Sequence, residues 1–291
     1  MFAVLLGASI DAGVKYLARD VDVIVLMAWR FLIGGAGILA VYIWLKKPVP
    51  KWEAIRFHLL RGAIQTIAVI TFFWSLTQLA LAEATVIGFT SALMVAPIAW
   101  AILGERLSVR ASLAAFTGFV GAALASSGTS DGAPENANRL LGIIACLIAA
   151  LSYAFVLVLM RLRTRKEDTL TIVMFTNVVP ALFLLPYLIV VEPVPVPSLI
   201  PFYVGLAALG TFVWWLMTKG YAQAEAQKLA PLEYTALIWA SLYGWFLFKE
   251  TPSWQLWAGA ALIIASCLLI ALDAKFKTRR ETGMPVSDIP E

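Results

Sequence analysis

The feature that most constrains this chain is a succession of apolar runs, each about 20 residues long, that covers nearly its whole length. A helix of that length is long enough to cross the hydrocarbon core of a bilayer. With 61% hydrophobic and only 14% charged residues, the composition is far from that of a soluble domain. The runs are also too long for the alternating strands of an outer-membrane barrel. The sequence therefore predicts an all-α polytopic membrane protein.

The number of runs predicts ten transmembrane helices joined by short polar connections. Turn-forming residues at 128–138 divide the chain near its middle and are typical of a linker. The predicted segments 1 to 10 are residues 2–18, 23–45, 59–79, 82–103, 109–127, 140–160, 170–191, 200–224, 229–248 and 254–272.

Lysine and arginine residues are distributed unequally between alternate connections. Seventeen of them lie on the side that holds both termini and four on the other side, with Arg30 left out because it lies inside a segment. Positively charged loops stay in the cytoplasm. We therefore expect both termini in the cytoplasm, residues 128–138 as an external linker and residues 273–291 as a flexible cytoplasmic tail.

The two halves of the chain, residues 1–127 and 139–272, have weakly similar sequences. Trp100 and Glu105 near the end of segment 4 recur as Trp245 and Glu250 near the end of segment 9. An odd number of helices repeated in tandem must enter the bilayer from opposite sides, as in many secondary transporters. The pattern favours two inverted five-helix repeats around a central cavity over a coincidental match.

Segments 5 and 10 are rich in small residues, which allow helix backbones to approach closely in lipid. The four-residue spacings are Ala114, Gly118 and Ala122 in segment 5, and Ala261 and Ala265 in segment 10. We expect these two segments to form a scaffold in a monomer, with dimerisation through the same faces as the alternative.

Two charged residues inside the spans, Asp11 and Arg30, are the first candidates for function. Burying a charge in a bilayer is costly, so such residues usually have a functional role. Both lie about two turns from the same side of the membrane, which predicts that they meet. They form either a structural ion pair or part of a substrate or gating site.

Aromatic and polar residues near mid-depth predict a moderately apolar cavity for a medium-sized organic solute. Together with Asp11 and Arg30, the candidate binding residues are Ser9, Phe73, Gln78, Tyr153, Trp214, Tyr234 and Trp239.

Several chemical functions are disfavoured by missing motifs. The chain has no GxxxxGK[ST] or HExxH pattern. It has one histidine (His58) and two cysteines inside apolar runs (Cys146 and Cys267). With a single histidine and no metal-binding or nucleotide-binding motif, no metal or cofactor is expected. No nucleic-acid partner is expected either, because the basic residues are spread among the loops. An intramembrane enzyme is therefore less favoured than a transporter.

The turns after segments 4 and 9 carry a family resemblance. Residues 104–108 (GERLS) are followed by Gly118 and Gly121, and their counterpart runs from residues 231–234 (PLEY) to Lys249 and Glu250, followed by Gly259. This arrangement resembles the drug/metabolite transporter superfamily, EamA type, over essentially the whole chain. Lys249 departs from the pattern, since Gly104 is its counterpart in the first half.

Within that family the sequence is most similar to exporters of aromatic and neutral amino acids of the YddG type. The resemblance implies that segments 1–4 and 6–9 surround the cavity and that solute moves by alternating access. It implies export of amino acids across the bacterial cytoplasmic membrane. The alternatives are a nucleotide-linked or sulfonium compound, or a lipophilic drug.

Overall fold

The computed structural model describes residues 2–104, 109–128, 137–163, 167–192, 194–223 and 234–282, and these ranges contain helices and turns but no β-strand. A 3₁₀ turn, Pro197–Leu199, precedes α9, and a π-helical turn, Gly244–Phe248, follows α10. The helices are α1 Phe2–Leu17, α2 Val23–Trp44, α3 Trp52–Ser75, α4 Leu81–Gly88, α5 Thr90–Leu103, α6 Val109–Ala125, α7 Arg139–Arg163, α8 Thr169–Val191, α9 Ile200–Gln223, α10 Ala236–Tyr243 and α11 Trp254–Thr282.

Local side-chain chemistry fixes several helix ends. Asp22 caps α2 by accepting a hydrogen bond of 2.8 Å from the backbone N–H of Ile24, and Asp168 caps α8 by accepting one of 2.9 Å from Thr171. Such caps satisfy N–H groups that have no partner within the helix. Gly104 ends α5 with a φ of 69°, a left-handed conformation that glycine adopts without strain.

Six helical stretches are long and apolar enough to cross a membrane, which is consistent with a polytopic membrane protein. They are Val23–Trp44, Trp52–Ser75, Leu81–Ile102, Arg139–Met160, Thr169–Val191 and Pro197–Gly220. Shorter apolar helices occupy Ser112–Ala125, Ala236–Phe248 and Trp254–Leu269. The count of ten crossings stays a prediction.

Predicted segment 4 consists of two helices, α4 and α5, which meet at Phe89. The hydroxyl of Thr90 donates to the carbonyl of Ile87 at 2.6 Å beside this junction. Pro97 lies about two turns further along, inside α5. The junction therefore lies at a position with no proline signal.

Helices α6 and α11 pack along each other at two glycines. A methyl group added at Gly121 would lie 2.9 Å from the carbonyl oxygen of Gly259, so the two backbones are in direct contact. Small residues thus bring α6 and α11 into close contact. Of the residues with the four-residue spacing, Ala122 lies in a buried cluster with residues of α11, whereas Gly118 faces Leu93 of α5.

Helix contacts occur in matched pairs between the two halves. Helix α3 packs on α7 as α1 packs on α9, and α5 packs on α7 as α1 packs on α10. Likewise α2 packs on α9 as α3 packs on α8. The pairs are related by a shift of five predicted segments. If each segment is replaced by the one five places away in the chain, one contact of each pair becomes the other.

Of four clusters of buried apolar residues in the described part of the chain, the two largest join most of the helices. The larger includes Val14, Leu26, Phe31 and Leu76 and joins α1, α2 and α3 to helices of the second half. The smaller lies among α4, α5, α6, α10 and α11. The described residues do not include most of the linker, residues 105–108 and 224–233, or the tail beyond residue 282.

Candidate functional site

Asp11 on α1 and Arg30 on α2 lie close enough for their charges to interact, although they do not form a direct ion pair. Arg30 is buried, with its guanidinium 4.5 Å from the centre of the Phe31 ring. Its Nε has no hydrogen-bond partner among the described residues. The structure thus places two groups of opposite charge near each other and leaves a buried Arg30 donor without a partner among the described residues.

Helix α9 makes room for Arg30. A methyl group added at Gly210 would lie 2.7 Å from Arg30 Nε, so any larger residue at this position would displace the guanidinium. The next residue, Thr211, donates a hydrogen bond of 3.2 Å to the side-chain oxygen of Asn177 on α8. Gly34 on α2 lies against both of these side chains, which brings α2, α8 and α9 into close contact.

Aromatic residues of the predicted site lie in two different settings. Tyr153 on α7 and Trp214 on α9 are neighbours, with ring centres 6.4 Å apart, and both are half-buried. Trp239 on α10 is half-buried too, and its buried indole N–H has no hydrogen-bond partner in the described part of the chain. Phe73 and Tyr234 are buried in the larger and the smaller apolar cluster, respectively.

The two remaining predicted residues form specific polar contacts. The hydroxyl of Ser9 is 2.8 Å from that of Tyr243, which joins α1 to α10. Gln78 follows α3, and its side-chain oxygen accepts a hydrogen bond of 2.8 Å from the backbone of Asn138. Sequence reasoning did not identify Tyr243, because a lone tyrosine near a helix end is typical of a membrane interface.

At one end of the bundle, buried charges join the two halves of the chain. Lys15 Nζ is 2.6 Å from Glu250 Oε1 and donates to the carbonyl oxygen of Leu79 at 2.5 Å. The other carboxylate oxygen of Glu250 accepts a hydrogen bond of 2.8 Å from the backbone N–H of Leu81. Sequence reasoning missed this pair because it counted Lys15 with the connection after segment 1 and placed Glu250 just beyond segment 9.

A second buried carboxylate lies at the same end. Glu83 on α4 accepts two hydrogen bonds from Arg139 on α7, of 2.6 and 3.1 Å. Arg139 also donates to the carbonyl oxygen of Ser126 at 2.9 Å. We call the region formed by Lys15, Leu79, Leu81, Glu83, Arg139 and Glu250 the Lys15 end.

The opposite end carries a buried histidine. His58 Nε2 on α3 is 2.5 Å from Glu167 Oε2, and the imidazole stacks on Phe175 with ring centres 4.4 Å apart. Arg163 lies 3.5 Å from Glu167 and 3.3 Å from Glu53.

A more exposed ion pair, Lys47 with Asp168, lies at the same end with a separation of 2.5 Å. Partial burial acts to raise the pKa of Asp168, but hydrogen bonds from Lys47 and Thr171 outweigh it and lower the pKa below its ordinary value. We call the region formed by Lys47, Glu53, His58, Arg163, Glu167 and Asp168 the His58 end.

The described residues contain no group of three histidine, cysteine, aspartate or glutamate side chains that could hold a metal ion. Cys146 and Cys267 are buried and form no disulfide.

Proteins with similar sequences are named as transporters. The sequence profile of the EamA-like transporter family matches residues 1–127 and 140–272. The chain is 24% identical to an S-adenosylmethionine uptake transporter of Rickettsia prowazekii, over 91% of this chain and 88% of that protein. It is 28% identical to a riboflavin transporter of Brucella anthropi, over 73% of this chain and 75% of that protein.

The fold also has a counterpart among solved structures. A crystal structure of a protein with 21% sequence identity superposes with a TM-score of 0.61, covering 94% of this chain and 99% of the other. At that identity the match concerns the fold alone.

Proposed function

We propose that this chain, which belongs to the EamA-like transporter family, is a secondary transporter that carries a small zwitterionic solute across a bacterial cytoplasmic membrane by alternating access. Amino acids with aromatic or other neutral side chains are the proposed substrates, and export is the proposed direction. Family and relatives are named as transporters, and no catalytic activity is proposed.

The observation that carries the proposal is the couple formed by Asp11 and Arg30. A guanidinium binds a carboxylate well, and a carboxylate binds an ammonium group, so this couple matches both charges of an amino acid. Because Arg30 Nε has no hydrogen-bond partner in the described part of the chain, a solute carboxylate would satisfy a buried donor. Tyr153, Trp214 and Trp239 supply aromatic surface for the rest of the solute.

Two observations support an inverted repeat. The family profile matches each half of the chain, and the helix contacts exchange in pairs between the halves. In transporters of this organisation, rocking of one half against the other exposes a midplane site to each side in turn. We propose ten crossings by a monomer, with the halves at residues 1–127 and 139–272.

The distribution of lysine and arginine supports an orientation for this bundle. In the proposed orientation the two termini and the His58 end face the cytoplasm. The Lys15 end faces outward.

A second candidate substrate is a sulfonium compound such as S-adenosylmethionine. Relatives named as S-adenosylmethionine uptake transporters match more than nine-tenths of this chain. That compound carries an amino-acid zwitterion, an additional cation and an aromatic base, so it has groups for Asp11, Arg30 and the aromatic rings. Cation–π contacts would stabilise the sulfonium group.

Transport by the purified full-length protein in lipid vesicles tests the proposal. Labelled tryptophan, leucine, S-adenosylmethionine and riboflavin are each measured for flux, with and without an imposed pH gradient. We expect saturable flux of an amino acid, and we expect Asp11→Asn and Arg30→Gln each to lower its kcat/KM by at least about tenfold, since each removes one charge that the solute pairs with.

Gly37→Ala is the matched control on α2, because a methyl group there would meet no atom within 4 Å. It should leave flux unchanged. Flux of S-adenosylmethionine alone would select the second candidate, and the absence of flux for every zwitterion would overturn the proposed function.

A further inference from the structure

We propose that the cavity at the Lys15 end is a second binding site for the zwitterionic solute, and that the solute opens this end by replacing the Lys15–Glu250 ion pair with ion pairs of its own. The inference rests on the proposed function and identifies where a second solute site lies and which charges select the solute there.

The cavity has a volume of about 280 Å³ and is lined chiefly by Lys15, Arg19, Leu76, Thr77, Phe248 and Glu250. This is close to the lower limit of small-molecule sites and suits a solute the size of an amino acid. Lys15 and Glu250 are 6% and 2% exposed, whereas Arg19 is exposed. The site therefore has buried charges of both signs and a second cation at its rim.

Each charge of a zwitterion has a complementary partner in this cavity. Lys15 and Arg19 can bind a carboxylate, and both lie over the ring of Phe248, at 5.3 and 5.1 Å from its centre. Glu250 Oε1 contacts Lys15 Nζ at 2.6 Å. A carboxylate oxygen can accept more than one hydrogen bond, so Oε1 can also accept one from an ammonium group. Leu76 and Phe248 offer apolar surface to the side chain of the solute.

The balance of buried charge explains how the solute would open this end. Separating Lys15 from Glu250 in the empty protein leaves two buried charges unpaired, which is strongly unfavourable. With a zwitterion inserted, Lys15 pairs with its carboxylate and Glu250 with its ammonium group, so no buried charge is left unpaired. A solute that lacks either charge would leave one of them without a partner.

Glu250 also connects this exchange to the helices. It accepts a hydrogen bond from the backbone N–H of Leu81, the first residue of α4, and the N-cap residue Ala80 supplies no side-chain cap. When Glu250 turns to the solute, α4 loses this contact with the second half of the chain. The exchange of ion pairs therefore releases a contact between the halves.

The cavity lies about one helical turn along α1 from Asp11. Asp11 and Lys15 are four residues apart on α1, so they lie on the same face with a rise of about 6 Å between them. A carboxylate leaving Arg30 would meet Lys15 about one turn further along the helix. The two charged couples thus form successive sites along α1.

Labelling of a cysteine at Leu76, which lines the cavity and is fully buried, tests the opening. The variant Leu76→Cys is made with Cys146→Ala and Cys267→Ala in the full chain, and a membrane-impermeant maleimide is added to vesicles from the outside. We expect tryptophan to raise the labelling rate at least about fivefold. Tryptamine, which lacks the carboxylate, and indole-3-propionate, which lacks the ammonium group, should change it less than twofold.

Three variants in this background separate the two sites. Lys15→Met with Glu250→Gln removes both charges, so labelling should be fast without solute and should not respond to it. Asp11→Asn should lower kcat/KM for flux by at least about tenfold and retain the labelling response, because the cavity at the Lys15 end is intact. Lys249→Asn, next to Glu250 at an exposed position with a φ of 59° that asparagine tolerates, should behave like the parent.

Equal responses to tryptophan and the two analogues would overturn the inference without any charge variant, so misfolding of a variant cannot conceal the result. Loss of the response in Asp11→Asn would overturn it too, because the opening would then depend on the Asp11–Arg30 couple. Flux is measured in the same vesicles. Flux with no labelling response counts against the inference alone, whereas the absence of flux for every zwitterion in the unmodified protein counts against the proposed function.

Discussion

The Lys15 end and the His58 end both connect the two halves of the chain, but they differ in how deeply their charges are buried. At the Lys15 end, Lys15 and the carboxylates of Glu83 and Glu250 are all at most 6% exposed. At the His58 end, Lys47, Asp168 and Glu53 are more than one-third exposed, Arg163 and Glu167 are 14% and 11% exposed, and a histidine occupies the most buried position.

This difference determines what each end requires in order to separate. An exposed ion pair that breaks is solvated by water and costs little. A buried pair that breaks leaves charges in a poorly solvated place and costs several times more. Separating the His58 end therefore costs less free energy of charge solvation. The Lys15 end needs a solute that supplies new partners for its buried charges.

The largest expected effect comes from removing one partner of the buried pair. Lys15→Met leaves the carboxylate of Glu250 buried without its cation, and we expect a loss of about 3–5 kcal/mol in the free energy of unfolding. The loss is measured as a lower midpoint of unfolding in detergent.

The double variant Lys15→Met with Glu250→Gln is the control for that experiment. Two neutral side chains of similar size should recover most of the lost stability, because no buried charge remains unpaired. A double variant as unstable as the single one would mean that packing, not charge, sets the cost of breaking the Lys15 end.

The contrast between the ends also shows what the sequence could predict. Periodic apolar runs anticipated helices at each of the ten predicted positions, because bilayer thickness fixes the length of such runs. Counting turns from one membrane surface also predicted the proximity of Asp11 and Arg30, since the two helices are adjacent in the chain.

Pairing between distant helices could not be predicted in the same way. Lys15 and Glu250 belong to opposite halves, and their contact depends on how α1, α10 and α4 pack, which no local pattern encodes. The glycine contact between α6 and α11 shows the same limit. The spacing of small residues indicated the two helices, while the rotation of each about its axis decided that Gly121 and Gly259 meet.

An intermediate effect is expected at the buried histidine. His58→Phe keeps an aromatic ring against Phe175 and removes the contact with Glu167, which retains Arg163 as a partner. We expect a loss of about 1–3 kcal/mol in the free energy of unfolding, as for an unsatisfied buried polar group. Unfolding in detergent measures it.

Glu167→Gln is the matched variant for this contact. The amide keeps a hydrogen bond to His58 while it removes the negative charge, so a loss below about 1 kcal/mol is expected. If His58→Phe lowered the free energy of unfolding as much as Lys15→Met, the depth of burial would not determine how tightly the two ends are held.

The smallest effect is expected at the exposed pair of Lys47 and Asp168. Asp168→Asn keeps a residue that caps α8 well and removes only the charge, so the loss at pH 7 should be below about 1 kcal/mol. Because the pKa of Asp168 is lowered in the folded protein, its charge contributes stability at pH values above its ordinary pKa of 3.8. That contribution is lost as the pH falls through the lowered value.

The difference in unfolding midpoint between the unmodified protein and Asp168→Asn should therefore be constant from pH 8 to pH 5 and should disappear in more acidic solution. Added salt should reduce it at pH 7, because exposed charges are screened. Lys47→Gln should show the same dependence on pH and salt, since it removes the other charge of the same pair. A difference that persists in acid or in high salt would indicate that Asp168 acts as a buried group, which would bring the His58 end closer in character to the Lys15 end.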